Sequence, residues 1–303
     1  MVGLPTFTQS TTFLGTSNSS ATAEICIAGI CLDIGTTNRP GARFGPAAIR
    51  AASRMLINGE HPVHWVDPKT LDIADIGNFE IVNSDLIKSL DAIQSQASQF
   101  DHLIGLGGDH SISLPLLRAL AKRIGPVGLI HFDAHLDTWP DNFGGVPYAH
   151  GNPFYHALNE GLVDPARMVQ IGIRSRVNKN VFDWTLQKGV RIITAEEIRW
   201  QRLEPHNIGT IVKQVVGDKP SYLTLDVDVL DPAFAPGTGT PEIGGLETWQ
   251  VMTILRELIG VNLVGMDVVE VAPPYDVSEI TALAAASFVW EYLSLLAVKK
   301  KPR

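Results

Sequence analysis

Short apolar runs alternate along the chain with segments whose apolar residues recur at helical spacing. The runs lie at 25–32, 102–106, 127–132, 168–173, 190–193, 221–225 and 263–269, and each predicts a strand. The first run has no apolar-polar alternation, which is typical of a strand buried on both faces. The helix-like segments lie at 84–100, 111–123, 154–161, 181–188, 205–216, 248–259 and 278–296, and Pro46 opens one more helix. This alternation predicts an α/β fold with one mainly parallel sheet covered by helices on both faces.

Residues 1–22 differ from the rest of the chain because Ser, Thr and Gly are frequent and no periodic pattern is present. We expect an irregular arm there. The apolar pair Phe13 and Leu14 could pin this arm to the body of the protein or to a neighbouring subunit. No low-complexity linker or internal repeat interrupts residues 23–303, so the sequence predicts a single domain over that range.

Acidic and imidazole side chains follow three of the predicted strands. They are His110, Asp133, His135, Asp137, Asp226 and Asp228. If the backbone stays extended, alternation places the groups at 133, 135 and 137 on one face, and likewise those at 226 and 228. His110 comes after a Gly pair that lets the chain turn sharply. The carboxyl ends of parallel strands meet at one edge of a sheet, where ligands bind, so we expect these side chains to converge.

Several carboxylates cannot stay ionised together in a poorly hydrated site unless cations lie between them. Carboxylate oxygens with some imidazole suit Mn²⁺, Fe²⁺ or Ni²⁺, whereas structural zinc would favour thiolates. Six ligands exceed what one ion with an open position needs, which favours two bridged ions that acidify a water molecule between them. A lone Asp-x-Asp at a strand end would more often be a cap or a turn, but three such segments together favour a metal site.

Glu270 ends the run 263–269 and therefore lies at the same rim of the sheet. We interpret it as a fixed anion that faces a cationic substrate. The structural alternative is a carboxylate paired with Arg50 or Arg174.

The overall composition narrows the class of partner. The chain of 303 residues has a net charge of -8 and no basic run before its last residues, which disfavours nucleic acid and suits a cationic or neutral small substrate. Cys26 and Cys31 would lie about 16 Å apart along one strand, so we expect free thiols in a reducing compartment. Without an export signal or a long apolar run in the sequence, no membrane association is expected and a cytoplasmic location is predicted.

Four stretches of the chain resemble the ureohydrolase family of arginases and agmatinases, with the agmatinase branch the nearer. They are Gly-Gly-Asp-His at 107–110, Asp-Ala-His-Leu-Asp at 133–137, the long run from 225 to 241 with Asp-Pro-Ala-Phe-Ala-Pro-Gly-Thr-Gly-Thr-Pro, and Asp-Val-Val-Glu-Val-Ala-Pro-Pro at 267–274. A fifth, Arg-Pro-Gly-Ala-Arg-Phe-Gly-Pro at 39–46, agrees with them. The resemblance implies a three-layer α-β-α sandwich, two Mn²⁺ ions per subunit, and hydrolysis of a guanidinium group to urea and an amine.

The resemblance also implies roles for individual residues. One ion would be held by His110, Asp133, Asp137 and Asp226, and the other by His135, Asp133, Asp226 and Asp228. Asp133 and Asp226 would then bridge the ions. The catalytic residues would be Asp137, His150 and Glu270, with His150 as the proton donor to the leaving amine and Glu270 as the guanidinium partner. The family commonly forms hexamers, so a homo-oligomer is expected, and a trimer or a hetero-oligomer stays open.

Two positions depart from the agmatinase pattern. Asn152 stands where agmatinases usually have Thr, and Trp139 occupies a position where arginases place a polar group that reads the amino-acid end of arginine. Both are candidate substrate-binding residues, and Trp139 could stack on a cationic group or simply pack. The loop 139–148 has bulky residues and no basic residue, which disfavours arginine and carboxylate-tailed substrates. Agmatine is the expected substrate, and guanidinobutyrate, an alkylguanidine or guanidine itself is the alternative. Mn²⁺ is the expected metal, with Ni²⁺ as an alternative for the second group of substrates.

Two readings from other classes stay open. A metal-dependent deacetylase could use an Asp-His-Asp set around one ion, but it would need neither Asp228 beside Asp226 nor a carboxylate at Glu270. An inactive partner subunit would be expected to have lost a ligand, and all six candidates are present.

Overall fold

The computed structural model of the protein describes residues 11–140 and 146–300. Within these residues the chain forms eight strands and nine α-helices. The strands are β1 Ile25–Ile30, β2 Ile73–Asn78, β3 Leu103–Gly107, β4 Val127–Phe132, β5 Val163–Ile173, β6 Arg191–Thr194, β7 Ser221–Asp226 and β8 Leu263–Val269. The helices are α1 Gly45–Ser53, α2 Leu86–Ala97, α3 Ser113–Ile124, α4 Pro153–Asn159, α5 Lys179–Gln187, α6 Ala195–Trp200, α7 Pro205–Val216, α8 Thr248–Arg256 and α9 Ile280–Lys300.

All eight described strands form one sheet in the order β2-β1-β3-β8-β7-β4-β5-β6, and every pairing is parallel. Helices α2 to α5 pack with one apolar cluster, and helices α1 and α6 to α9 pack with another, on opposite faces of the sheet. Strands β3, β8, β7 and β4 are therefore covered on both sides, which explains why their sequences are nearly continuous apolar runs. The predicted three-layer α-β-α sandwich is confirmed.

The sequence pattern missed two elements. Strand β2 lies at the edge of the sheet and its last residues are exposed, so its pattern is less apolar than that of the central strands. Helix α6 has only six residues, too few for a helical repeat to be visible. Other boundaries differ by a few residues, as for the first strand, which ends at Ile30 rather than at residue 32.

The N-terminal arm is attached to its own chain within the described residues. Phe13 is fully buried and its backbone N–H donates to Asp75 Oδ2 at 2.7 Å, while the N–H of Leu14 donates to Ser53 Oγ at 2.9 Å. Of the two predicted attachments, the structure shows the one to the body of the protein.

Helix α9 is long and apolar enough to cross a membrane by length and composition alone. However, 72% of its most apolar window is buried inside the protein, where it packs on α1 and α8. This is the placement of a core helix.

Candidate metal centre and active site

The candidate residues lie beyond the carboxyl ends of β3, β8, β7 and β4, four neighbouring strands at the centre of the sheet. The predicted convergence is therefore found, but the predicted cause, a continued extended backbone, is wrong. Strand β4 ends at Phe132, before the first candidate, and Asp137 has a φ of 51°. Asp228 lies in a short 3-10 turn that follows β7. Turns and a left-handed residue, rather than strand alternation, bring the side chains together.

The Gly pair before His110 serves a different purpose from the one predicted. Neither Gly107 nor Gly108 has a positive φ. A Cβ at Gly107 would lie 2.7 Å from Val269 Cγ1, and one at Gly108 would lie 2.5 Å from Leu32 O. Close packing of the turn against neighbouring strands, rather than a sharp backbone bend, therefore requires glycine here.

One group of side chains surrounds His110. Its Nδ1 lies 3.2 Å from Asp133 Oδ2, 2.9 Å from Asp137 Oδ2 and 3.3 Å from Asp226 Oδ2. These four side chains are buried, yet His110 Nδ1 has no hydrogen-bond partner among the described residues. A buried imidazole nitrogen that faces three carboxylate oxygens without a hydrogen bond is the arrangement expected where a cation is bound.

A second group surrounds His135. Its Nδ1 lies 3.2 Å from Asp133 Oδ1 and 3.0 Å from Asp228 Oδ2. Asp133 thus turns one oxygen to each group, as a bridging carboxylate would. The Oδ1 of Asp226 accepts the N–H of Asp228 at 2.9 Å, while Oδ2 faces His110. A bridging role for Asp226 stays a prediction.

The charges of this cluster are not balanced by the chain alone. Burial, together with the neighbouring carboxylates Asp228 and Asp133, raises the pKa of Asp226 well above its usual range. Burial likewise raises the pKa of Asp228 to about 6, although His135 opposes the shift. Bound cations would remove this repulsion, since a positive charge favours the ionised form. The donor set and its burial therefore fit metal ions.

Side chains that the sequence analysis did not identify hold His110 through its other ring nitrogen, Nε2. His110 Nε2 lies 2.9 Å from Thr224 Oγ1, which donates to Asp267. Asp267 also accepts from Ser113 Oγ at 2.7 Å and from Tyr222 OH at 2.9 Å. These five residues are buried, and the chain fixes the ring so that Nδ1 faces the carboxylates.

His131 supports Asp133 in the same way. The amide nitrogen of Gln170 donates to Leu136 O at 2.7 Å and lies 3.0 Å from His131 Nδ1. Because Nδ1 accepts this bond, the proton of the neutral ring is on Nε2, which donates to Asp133 Oδ2 at 2.7 Å. His131, Asp133 and His110 are close enough to hold an ion, but the donated proton makes His131 a support for the carboxylate rather than a ligand.

Glu270 and His150 form a buried pair beside this cluster. Glu270 Oε1 accepts from the backbone N–H of His110 at 2.9 Å and lies 2.9 Å from His150 Nδ1. Its Oε2 is buried and accepts no hydrogen bond from the residues that the structure describes. Burial alone would lower the pKa of His150, but the charge and hydrogen bond of Glu270 outweigh it and raise the pKa to about 9. Glu270 also has a φ of 67°, a strained conformation of the kind that occurs at functional sites.

The structural alternative for Glu270, a pair with Arg50 or Arg174, is wrong. Arg50 binds Asp75 of β2, and Arg174 donates to backbone carbonyls that include Asp228 O at 2.7 Å. Neither arginine therefore pairs with Glu270.

A cavity of about 130 Å³ opens onto these groups. The residues that line it are Thr37, His135, Asp137, Trp139, His150, Gly151, Asp226 and Thr240. Trp139 is thus at the cavity, as predicted. Asn152 is buried and outside this lining; its Oδ1 accepts from Ala149 N–H at 2.9 Å and its Nδ2 donates to Pro147 O at 3.3 Å. The structure thus shows Asn152 bonded within its own loop, and its role in substrate binding stays a prediction. Residues 141–145 of the loop 139–148 lie outside the described residues.

Comparison with known proteins agrees with this site. The model of the arginase family matches residues 23–294. An agmatinase of Cronobacter sakazakii is 44% identical over 284 residues, which cover 92% of this chain and 89% of the relative. A guanidinopropionase of Pseudomonas aeruginosa is 42% identical over 301 residues, covering 97% of this chain and 92% of the relative.

The fold is also found in solved structures. Proclavaminate amidino hydrolase from Streptomyces clavuligerus superposes with a TM-score of 0.91 at 38% sequence identity, covering 97% of this chain and 99% of that one. Matches of this extent include all the strand ends described above. The predicted family is confirmed: the chain belongs to the arginase family.

Proposed function

We propose that the protein hydrolyses a guanidinium group to urea and an amine, with agmatine as the substrate and putrescine as the second product. The observation that carries the proposal is the unpartnered, buried Oε2 of Glu270 beside His150 and the carboxylate cluster. A buried carboxylate oxygen with no donor is a binding position for a planar cation rich in N–H groups, which a guanidinium is.

Two metal ions fit the two groups of side chains. His110, Asp133, Asp137 and Asp226 would hold one, and His135, Asp133, Asp226 and Asp228 the other. When bound, divalent ions act as Lewis acids and lower the pKa of water, which supplies the strong nucleophile that a resonance-stabilised guanidinium needs. The oxygen-rich donor set favours Mn²⁺ over Zn²⁺, with Ni²⁺ as the alternative.

His150 is placed to supply the proton for the leaving amine. It lines the cavity, its Nδ1 is tied to Glu270, and the negative charge of Glu270 raises its pKa to about 9, so that the ring readily takes up a proton. An amine leaves readily only once protonated, so a protonated imidazole at the cavity suits this step.

The rest of the cavity favours a substrate with a cationic or neutral tail. Among the described residues that line it, none is Lys or Arg, the side chains that would most readily bind a carboxylate tail. Glu242 Oε1 lies 3.9 Å from His135 Nε2 and adds negative charge at this end of the site. Agmatine, which carries an ammonium group at its far end, matches that charge.

A shorter or differently charged guanidine is the second candidate. The guanidinopropionase relative is nearly as similar to this chain as the agmatinase is. The candidates are guanidinobutyrate, an alkylguanidine and guanidine itself. Trp139 lines a cavity of about 130 Å³, and so small a volume favours a short substrate. Ni²⁺ in place of Mn²⁺ belongs to the same alternative.

We also propose a homo-oligomer, a hexamer or a trimer, on the resemblance to the family.

A cytoplasmic location is supported by Cys26 and Cys31, which are both free thiols, as in proteins of reducing compartments.

The test is urea release by protein loaded with Mn²⁺ or with Ni²⁺, against agmatine, guanidinobutyrate, arginine, methylguanidine and guanidine. Agmatine is expected to be cleaved fastest with Mn²⁺, and the same protein stripped with a chelator is the matched control. Faster cleavage of a short guanidine, or activity with Ni²⁺ alone, would replace agmatine by the second candidate. Metal-loaded protein that releases no urea from any of them would identify an inactive partner subunit.

A further inference from the structure

The connection between β1 and α1 lies beside the active-site cavity, and Thr37 in this connection lines that cavity. Four bonds fix the segment 35–39 to the loops that carry the site. Gly35 N–H donates to Asp109 Oδ2 at 2.8 Å, and His150 N–H donates to Gly35 O at 3.0 Å. Asn38 Nδ2 donates to Gly239 O at 2.9 Å, and Arg39 Nη2 donates to Thr238 O at 2.8 Å. The backbone of this segment is thereby held in a fixed position beside His150.

From this geometry we infer that Thr37 is a positioning residue for His150. Thr37 Oγ1 lies 2.7 Å from His150 Nε2, and Thr37 N lies 3.1 Å from the same nitrogen. The other ring nitrogen, Nδ1, is held by Glu270. Thr37 and Glu270 therefore fix the orientation of the imidazole through hydrogen bonds to its two nitrogens. Thr37 itself lines the cavity.

The hydroxyl is needed because His150 must exist in two protonation states. In the neutral ring Nδ1 donates to Glu270, and Nε2 accepts from the N–H and the hydroxyl of Thr37. In the protonated ring Nε2 carries a proton and needs an acceptor. A backbone N–H cannot accept, whereas a hydroxyl can both donate and accept. Thr37 Oγ1 thus keeps the ring in one orientation before and after it gives up its proton.

This inference rests on the proposed function, in which His150 supplies a proton to the leaving amine. A side chain that acts through His150 should affect the chemical step more than substrate binding. Replacement of Thr37 by Val keeps the shape of the side chain but removes the hydroxyl. The protonated Nε2 would then lack its acceptor in the cavity wall.

The experiment compares Thr37→Val and Thr37→Ser with the wild type by steady-state urea release from agmatine, in Mn²⁺-loaded protein. We expect Thr37→Val to lower kcat by about 10- to 100-fold, the effect of losing a hydrogen bond to a charged group, with KM changed by less than about threefold. Thr37→Ser restores the hydroxyl and is expected to recover kcat to within about threefold of the wild type. Thr70→Val is the matched control, because Thr70 donates to Asp67 O at 2.7 Å in an exposed turn away from the cavity.

The metal content of each variant, measured by elemental analysis, should stay equal to that of the wild type. Wild-type kcat in Thr37→Val, or a loss that Thr37→Ser does not recover, would overturn the role of the hydroxyl. A change in KM alone would also overturn it, because it would show a binding contact rather than a positioning one. These outcomes are distinct from failure of the proposed function, in which the wild type itself would release no urea from any guanidine.

Discussion

His131 Nε2 donates a hydrogen bond of 2.7 Å to Asp133 Oδ2, the carboxylate that lies between the two candidate metal groups. Gln170 holds the ring in the tautomer that makes this bond. All three side chains are fully buried, so water cannot replace a lost partner. The orientation of the central carboxylate therefore depends on residues that need not touch metal.

We expect His131→Phe to weaken metal binding by about 10- to 100-fold, because Asp133 would lose its fixed orientation. Gln170→Leu should weaken metal binding less. The His131 ring would remain, but no hydrogen bond to Nδ1 would then keep the proton on Nε2. The measurement is metal retained per chain after dialysis against graded chelator concentrations. His206→Phe, at an exposed ring outside the site, is the control. Equal retention in His131→Phe and the control would show that Asp133 needs no such support.

Glu270→Gln should lower kcat/KM for agmatine by about 100-fold, roughly 3 kcal/mol, because a neutral amide replaces the carboxylate proposed to face the guanidinium. The amide of Gln would also bring N–H donors to a position where the carboxylate oxygen Oε2 can act only as an acceptor. Metal content should not change, since Glu270 belongs to neither group around His110 and His135. The exposed Glu80→Gln serves as the control in the same urea assay. A Glu270→Gln enzyme as active as that control would mean that the guanidinium binds elsewhere.

The identities of the candidate ligands could be predicted because they stand in short stretches next to apolar runs. Their geometry could not. The convergence depends on Asp137 at a φ of 51° and on a turn after Asp226, and local sequence periodicity contains no information on either. The side chains converge as predicted, although the predicted account of the backbone was wrong.

The supporting residues could not be predicted for a different reason. Thr224 meets His110 across 114 positions, and Gln170 meets His131 across 39. A buried Thr or Gln in an apolar run indicates only that some partner exists, and the strand order that supplies the partner is a property of the whole sheet. For Asn152 the structure shows amide hydrogen bonds within its own loop, and its predicted contact with substrate stays a prediction.

Arg50→Ala should lower the free energy of unfolding by about 3–5 kcal/mol, because it leaves the buried Asp75 without its counterion. Arg50 Nε and Nη2 donate to the two oxygens of Asp75 at 2.8 and 2.9 Å, and Asp75 also accepts the N–H of Phe13 in the N-terminal arm. The measurement is urea denaturation. Lys88→Ala is the control, because its pair with Asp85 is exposed and screened by solvent, so its loss should change stability little. Equal effects of the two substitutions would show that the Arg50 pair adds nothing beyond a surface pair.

His102 gives the protein a stability that depends on pH outside the metal site. Its Nε2 lies 2.8 Å from Tyr292 OH, and burial lowers the pKa of His102 from 6.5 to about 4. As the pH falls, His102 is therefore protonated near pH 6.5 in the unfolded chain but only near pH 4 in the folded protein. Stability from this residue is complete above pH 6.5 and is lost as the pH falls through that window. Because the side chain keeps some exposure, we expect about 1–2 kcal/mol rather than the full shift.

His102→Gln keeps an acceptor for Tyr292 OH but cannot titrate. In metal-free protein, the loss of unfolding free energy between pH 7 and pH 5 should therefore be about 1 kcal/mol smaller in His102→Gln than in the wild type. The ligand carboxylates and imidazoles titrate in both proteins, so their contribution cancels in the difference. Parallel stability curves for the two proteins would show that His102 is protonated in the folded state as readily as in the unfolded chain, and that its burial has no consequence for acid stability.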